Sequence, residues 1–347
     1  MSIINNGQGF SNMLYLSKAD GEKFNFPMDY RQTFHHESRK SFTSMEYTTI
    51  RIVFDAMTDD QREISLIVLE HLANFRFATE SQLRRLIGAK GQSDNQDMIY
   101  DLLADFVDQK ILNYFIITSG EEMFSQESIP ADALKIYCLD YGAQQILSHY
   151  SYSPYTRWTP GDERRVSQLV ARHVMTVEFY LQVLILRQET LENFVPNKDF
   201  TNGKRGIRFS AGFRIMQSCT GIEFLFDVVR ENDITKSWPD ELDKMIPFIR
   251  DKYMKRYYEG GNPEGNFSSP PLFIFMVETP EIAGRVAVDF FRATGYDSFY
   301  ILLERDMLKG LQNAPLYTYD RAEGKLKGRR ENFFQSVSGF PKPTASK

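Results

Sequence analysis

Two clusters of basic side chains have the charge and spacing to bind the phosphates of a nucleic acid. The first cluster comprises Arg84, Arg85 and Lys90, on one predicted helix and its exit. The second cluster lies on a predicted strand hairpin and comprises Lys198, Lys204, Arg205, Arg208 and Arg214. Phosphate contacts are electrostatic and tolerate any base sequence, so both clusters are predicted to provide affinity and not specificity.

An acidic helix face next to the first cluster has the opposite character. Its members fall within roughly 80° of one another at 100° per residue, and they are Asp97, Asp101, Asp105 and Asp108. A helix in the major groove lies between two rows of phosphates, so these carboxylates would repel a duplex by several kcal/mol in total. We therefore predict that this face contacts protein or solvent, while Ser93, Asn95 and Gln96 before it remain candidates for base-edge contacts.

Other patterns typical of catalysis or of a bound cofactor are absent from the sequence. The glycines at 203 and 206 flank two basic residues, yet they lack the spacing of a phosphate-binding loop. Cys138 and Cys219 are too far apart in sequence to form a ligand pair, and no Ser or Cys lies in a nucleophile elbow. His173, on a long helix, is interpreted as a core or subunit-contact residue. We expect no cofactor, no resident metal and no catalytic residue.

Length and composition indicate two folded units in a reducing compartment. The chain has 347 residues, 42% of them hydrophobic, with 28 Phe and 18 Tyr beside only 2 Cys, which excludes a disordered chain and a disulfide scaffold. No secretion signal and no membrane-spanning segment is predicted, so a cytoplasmic location is expected. The net charge of −5 is ordinary, but residues 55–150 carry 16 acidic and 7 basic side chains.

The first half has the element order of a winged helix-turn-helix domain. After an irregular arm at 1–54, the caps Thr58 and Thr79 begin two helices, and Ser93 or Asp94 caps a third that runs to about residue 109. Extended stretches at 111–118 and 134–139 form a hairpin, and a helix at 141–150 closes the domain. Three helices followed by a hairpin predict a winged helix over 55–150.

The second half has the pattern of an α/β domain. Residues 151–161 read as a linker, followed by a long helix at 162–191. Strands are predicted at 192–195, 207–216, 222–229, 271–277 and 299–303, with helices at 236–258 and 281–294. This order predicts a sheet covered by helices over 162–312, followed by a basic tail at 313–347.

Five segments of the chain carry a resemblance to a known family. They are MTDDQ at 57–61, FATESQL at 77–83, RHVMTVEF at 172–179, EFLFDVVR at 223–230 and PPLFIFMVETP at 270–280. Together they resemble the replication-relaxation family of plasmid and mobile-element proteins, over roughly residues 57–310. The resemblance implies a role in plasmid replication or conjugative transfer, DNA binding by the winged helix, and a restriction-endonuclease-like second domain.

The chemistry of such an endonuclease tests the last implication. Two carboxylates on adjacent strands hold Mg²⁺, and a Lys two positions after the second one meets the attacking water. Asp227 could be the second carboxylate, but Val229 stands where the Lys belongs. Residues 209–213 read FSAGF, so the first carboxylate is missing as well. Asp227 is accordingly interpreted as a strand-end carboxylate paired with Arg230.

These observations lead to one expected function and two alternatives. We expect a non-catalytic accessory factor that binds DNA and a protein partner of a replication or transfer complex, without membrane association. The alternatives are a metal-dependent endonuclease with displaced ligands, and a protein-binding adaptor whose winged helix is a dimer interface.

Overall fold

The chain is a mixed α+β protein with two compact units, residues 1–177 and 178–347. The structure is a computed structural model, and it describes residues 14–27, 30–36, 44–119, 129–151, 169–202, 205–217, 220–250, 271–329 and 334. In the described part, no helix is long and apolar enough to cross a membrane.

The first unit is built from helices around a small antiparallel sheet. Its strands are β1 (Leu14–Tyr15), β2 (Arg31–Phe34), β3 (Ala78–Thr79), β4 (Leu112–Ser119) and β5 (Ile136–Leu139). Its helices are α1 (Lys18–Glu22), α2 (Ser44–Ala56), α3 (Asp59–Phe75), α4 (Glu80–Ala89), α5 (Met98–Asp108) and α6 (Tyr141–Tyr150), and α7 (Val170–Arg187) begins in this unit.

Local sequence signals fix where α3 and α4 begin. Thr58 and Thr79 each accept a hydrogen bond from the backbone N–H three residues on, and Gln61 and Gln82 reciprocate toward the backbone N–H of the capping Thr. Each pair forms a complete capping box, which satisfies backbone donors that a helix end leaves open. The starts of α3 and α4 predicted from the sequence are therefore confirmed. The third helix begins later than the predicted cap at Ser93 or Asp94. A short 3₁₀ turn occupies Ser93–Asn95, and α5 begins at Met98.

The N-terminal region is more regular than the irregular arm expected from its sequence. Strands β1 and β2 both pair antiparallel with β4, and β2 does so from Arg31 opposite Thr118 to Phe34 opposite Phe115. Such short strands contain too few residues for an alternating pattern to stand out in sequence. Long-range pairing with β4 defines them instead, and α2 occupies the end of the region assigned to the arm.

The tight start of α6 gives a first testable prediction. A Cβ added to Gly142 would lie 2.8 Å from the Lys110 carbonyl oxygen and 3.0 Å from the Ile111 Cα, which are backbone atoms. Gly142→Ala should therefore destabilise the protein by about 1–3 kcal/mol through overpacking. Gly284→Ala is the matched control, because a Cβ there meets no atom within 4 Å and a helical Ala gains up to about 1 kcal/mol. Urea unfolding should show opposite signs, and equal effects would contradict the prediction.

The second unit contains a seven-stranded sheet. Its strands are β6 (Leu191–Asn202), β7 (Arg205–Gln217), β8 (Thr220–Val229), β9 (Leu272–Val277), β10 (Phe299–Leu303), β11 (Leu316–Asp320) and β12 (Lys325–Arg329). Its further helices are α8 (Glu231–Lys236), α9 (Trp238–Arg250), α10 (Pro280–Thr294) and α11 (Glu304–Met307).

The order of the seven strands follows the chain from one edge to the other. Strands β8, β9 and β10 are parallel neighbours, and an antiparallel hairpin flanks them on each side. The first part of the predicted basic tail is therefore not a tail, because β11 and β12 extend the sheet from β10. The helix predicted at 236–258 is present as α9 over the described residues of this segment, which end at 250, and the short helix α8 precedes it. The linker predicted at 151–161 and the first part of the predicted long helix lie largely outside the described residues.

Apolar side chains cover both faces of this sheet. Leu225 belongs to a core with Phe273 and Phe275, against which α9 and α10 pack through residues such as Trp238. Its neighbour Phe226 points to the other face, as successive strand residues do, and stacks on Phe179 of α7 with ring centroids 4.0 Å apart. The three parallel strands are buried on both sides, so their chain ends are the natural place for polar groups.

Candidate nucleic-acid interface

The first basic cluster lies at the corner between α4 and α5. Arg84 is exposed on α4, and its Nη2 lies 3.0 Å from Oδ1 of Asp97, a member of the predicted acidic face. The two side chains are 44% and 84% exposed, and an ion pair this exposed contributes about 0–1 kcal/mol. Because the pair costs little to open, Arg84 can exchange Asp97 for a phosphate.

The remaining residues of this corner differ in how far they reach solvent. Lys90 and Ser93 are exposed, while Arg85 is half-buried. The Asn95 amide donates to Gln92 Oε1 at 2.9 Å. A Cβ on Gly88 would lie 2.2 Å from Gln96 Nε2, so the Gln96 amide packs against α4. Ser93 is therefore better placed than Gln96 for a base-edge contact.

The acidic face has the geometry expected from its spacing. Ile99, Leu102, Leu103, Phe106 and Val107 are buried, whereas Asp101, Asp105 and Asp108 are exposed. Asp97 immediately precedes α5, and Tyr100, which is 47% exposed, lies beside this face and not within it. An exposed row of carboxylates is a surface suited to a basic protein partner and poorly suited to a duplex.

The second basic cluster, on β6 and β7, is largely compensated by carboxylates. Arg208 holds Asp199 with two hydrogen bonds, Nε to Oδ1 at 2.6 Å and Nη2 to Oδ2 at 3.0 Å. Arg214 is only 13% exposed and lies 3.8 Å from carboxylate oxygens of both Glu192 and Glu223.

The other members of the second basic cluster are Lys198, Lys204 and Arg205. The Lys198 ammonium lies 5.7 Å from the centroid of the Phe200 ring. Lys204 and the side chain of Arg205 lie outside the described residues. The burial of Arg214 disfavours phosphate contact, whereas Arg208 is 54% exposed and must exchange its carboxylate partner for a phosphate, as Arg84 must. Sequence reasoning missed these ion pairs because the partners lie on neighbouring strands.

Asp227 lies in β8 immediately after Phe226, where the regular pairing of β8 with β7 ends. Its Oδ1 accepts hydrogen bonds from the Ser210 N–H at 3.2 Å, the Ser210 hydroxyl at 2.5 Å and the Val228 N–H at 3.1 Å. The side chain is 2% exposed, and Val229 is fully buried in the core. The carboxylate thus acts as a structural acceptor in this geometry.

A charged group that sequence reasoning did not bring together lies at the carboxyl ends of the three parallel strands. Arg230 directly follows β8, Glu278 follows β9 and Glu304 follows β10; we refer to them as the Arg230 cluster. Nη1 of Arg230 donates to Glu304 Oε1 at 2.9 Å, Nη2 donates to Glu278 Oε1, and the other oxygen of Glu278 accepts from the Glu231 N–H at 2.6 Å. The expected partner of Arg230 was Asp227, so these contacts revise that interpretation.

Burial decides the protonation of the Arg230 cluster. Desolvation raises the pKa of Glu304 to about 7, although the attraction of Arg230 acts in the opposite direction. Glu278 adds a further, smaller increase. The cluster therefore has two carboxylates for one guanidinium, and burial favours the protonated form of Glu304.

One signal in the sequence points toward the Arg230 cluster. Each of its members is a charged residue immediately after a predicted apolar strand, and the carboxyl ends of parallel strands meet at one edge of a sheet. Sequence alone does not say that β8, β9 and β10 are neighbours, so this signal does not by itself bring the three residues together.

No family model, no curated protein and no solved structure matches the chain. Among the described residues, no group of three or more His, Cys, Asp or Glu is arranged to hold a metal ion.

Proposed function

We propose that the protein is a non-catalytic accessory factor that binds DNA and a protein partner during plasmid or mobile-element replication or transfer. In this proposal the first unit contains a winged helix, and the second is an endonuclease-like domain that has lost its catalytic groups. The observation that carries the proposal is the pairing of β3 with the β4–β5 hairpin, combined with the order of α3, α4 and α5.

The strand pairing supports the winged-helix interpretation because it connects a strand between two of the helices to the hairpin that follows the third helix. Strand β3 lies between α3 and α4, and Ala78 and Thr79 pair antiparallel with Tyr137 and Ile136 of β5. Strand β5 then pairs with β4, from Leu112 opposite Leu139 to Phe115 opposite Ile136. A short strand between the first two helices that joins a hairpin after the third is the arrangement of a winged helix-turn-helix domain.

The chemistry of β7 and β8 supports a non-catalytic second unit. Ala211 and Gly212 occupy the places where a first metal-binding carboxylate is expected, and Val229 replaces the Lys. Asp227 is committed to Ser210 and Val228 by hydrogen bonds from three donors. A carboxylate oxygen that accepts three hydrogen bonds within the sheet has a structural role and is not available as a metal ligand.

The first unit provides separate surfaces for DNA and for protein. Arg84, Lys90 and Ser93 form an exposed polar and basic corner, which suits phosphate contacts. The α5 face suits a basic partner surface. The compensated cations of β6 and β7 favour, as a second candidate, an adaptor that binds protein without DNA.

The absence of DNA cleavage is the first test of this proposal. Purified protein incubated with supercoiled plasmid and Mg²⁺ or Mn²⁺ should leave the plasmid intact, because two of the three catalytic groups are missing. In parallel, fluorescence anisotropy should detect salt-dependent binding to single- or double-stranded DNA. Nicking that disappears in Asp227→Asn would contradict the proposal and favour the endonuclease, whereas the absence of any DNA binding would favour the adaptor.

Charge reversal on α5 tests the second part of the proposal. Replacing Asp101 and Asp105 by Lys should strengthen nonspecific DNA binding, because each new ion pair with a phosphate adds about 0.9 unit to the log–log salt slope on duplex. The same variant should weaken partner binding or self-association, measured by sedimentation. Replacing the exposed Asp240 and Asp243 of α9 by Lys is the control for net charge. A loss of DNA affinity specific to the α5 variant would mean that the carboxylates contact bases.

A further inference from the structure

A cleft between α2 and α6 combines aromatic, cationic and amide groups that neither surface discussed above includes. Its polar lining comprises Tyr47, Thr48, Arg51, Gln145, His149 and Tyr150, and Ile50 and Ile146 form its apolar floor. The cleft has a volume of about 110 Å³. One water needs about 10–15 Å³ by this measure, so the cleft holds several waters or one flat ring system and excludes a duplex.

The aromatic wall of this cleft is held in place by contacts outside it. The Tyr150 hydroxyl donates a hydrogen bond to Asp55, and the Tyr150 ring packs on buried Phe54 with centroids 4.7 Å apart. The hydrogen bond to Asp55, followed by desolvation, raises the pKa of Tyr150. The ring therefore presents a fixed, neutral surface, and the half-buried Tyr47 lines the cleft with it.

The basic side chains of the cleft, Arg51 and His149, are turned toward solvent. In the described part of the chain, no ion pair involves Arg51 within 4 Å. Nδ1 of His149 lies 2.9 Å from the Gln145 carbonyl oxygen and 3.0 Å from the Ser148 hydroxyl. These contacts orient the imidazole and direct Nε2 away from its own helix. Asp55, the nearest carboxylate to Tyr150, is occupied by the Tyr150 hydroxyl.

We infer that this cleft binds one unpaired nucleotide of single-stranded DNA, with the base against Tyr47 and Tyr150 and the phosphate at Arg51 and His149. Base stacking on an aromatic ring suits every base, while Arg supplies the phosphate contact. Gln145 and Thr48 carry donors and acceptors for a base edge. The inference rests on the proposed function and narrows it, because it makes single strands the preferred form of DNA.

Anisotropy titrations of the full chain with an oligothymidine and with a duplex of equal length test the inference. Tyr47→Leu should weaken oligothymidine binding by about 5-fold or more, since one stacked base contributes about 1–3 kcal/mol. Arg51→Ala should lower the salt slope by about 0.7 unit on the single strand. Arg285→Ala removes an exposed Arg from α10 and is the control for charge. Duplex binding should change by less than 2-fold in Tyr47→Leu.

The possible outcomes separate this inference from the proposed function. If the wild type binds DNA and both cleft variants bind it equally well, the inference is wrong and the proposed function stands. If the wild type binds neither form of DNA, the proposed function is wrong, and ¹⁹F NMR of fluorotyrosine-labelled protein with thymidine monophosphate decides about the cleft. A saturable shift of the Tyr47 signal, assigned with Tyr47→Phe, would retain a nucleotide site; no shift overturns it. Displacement of oligothymidine by a phosphorylated peptide but not by thymidine monophosphate would assign the cleft to a protein partner and also overturn it.

Discussion

Replacing Arg230 by Met is expected to destabilise the second unit by about 3–5 kcal/mol, because removal of one partner leaves a buried charge uncompensated. The Arg230 side chain is 10% exposed, and Glu304, its partner at 2.9 Å, is 8% exposed. In Arg230→Met both carboxylates of the Arg230 cluster lose their shared cation, so Glu304 must either stay charged without a partner or take up a proton, and Glu278 loses its ion pair. The effect should appear as faster amide hydrogen exchange in β8, β9 and β10.

Two variants distinguish loss of charge compensation from loss of packing. Adding Glu304→Leu to Arg230→Met removes the buried carboxylate together with its partner, so most of the lost stability should return. Arg285→Met removes an Arg that is 55% exposed, and an exposed pair of this kind should change stability by about 0.5 kcal/mol or less. Equal effects of Arg230→Met and Arg285→Met would show that the Arg230 cluster contributes no more than a surface pair.

Element types were predictable from the sequence wherever a local signal defines them. Thr58 and Thr79 announce two helices through capping, and the bounds of α6 match the prediction because Asp140 and the apolar spacing agree. The buried strand β9 follows from its continuous apolar run. These signals act over a few residues, so sequence alone contains them.

Features that depend on long-range pairing were not predictable. Strands β1 and β2 exist because β4 supplies partners more than eighty residues away. The candidate site shows the same limit. The acidic face of α5 follows from helical periodicity, whereas the ion pairs of Arg208 and Arg214 and the Arg230 cluster require knowledge of which strands are neighbours.

Acidification from pH 6.5 to pH 5 is expected to act on the two units with opposite signs. His71 is buried beside Phe75, and desolvation, aided by Lys90, lowers its pKa to about 3. In the unfolded chain the His71 imidazole takes up a proton near pH 6.5, whereas in the folded protein it stays neutral. The free energy of unfolding of the first unit therefore decreases as the pH falls through this window. Glu304, with its pKa raised to about 7, binds a proton in the folded state before the unfolded chain does, so its contribution to the second unit grows. Each group can contribute up to about 2 kcal/mol over 1.5 pH units.

Hydrogen exchange resolved by segment, corrected for the intrinsic pH dependence of exchange, measures both effects in the full chain. Comparison with His71→Phe isolates the contribution of His71. Between pH 6.5 and pH 5 the variant should lose less protection of its α3 amides from exchange than the wild type, because Phe does not titrate in the folded or the unfolded state. Glu304→Gln isolates the second, since an amide cannot titrate and the gain of protection in β10 should vanish. Replacement of the exposed His149 by Phe is the control, and it should leave the pH dependence of α3 unchanged. A wild-type α3 whose protection is the same at both pH values, or a His71→Phe variant that loses as much protection as the wild type, would contradict a neutral, buried imidazole.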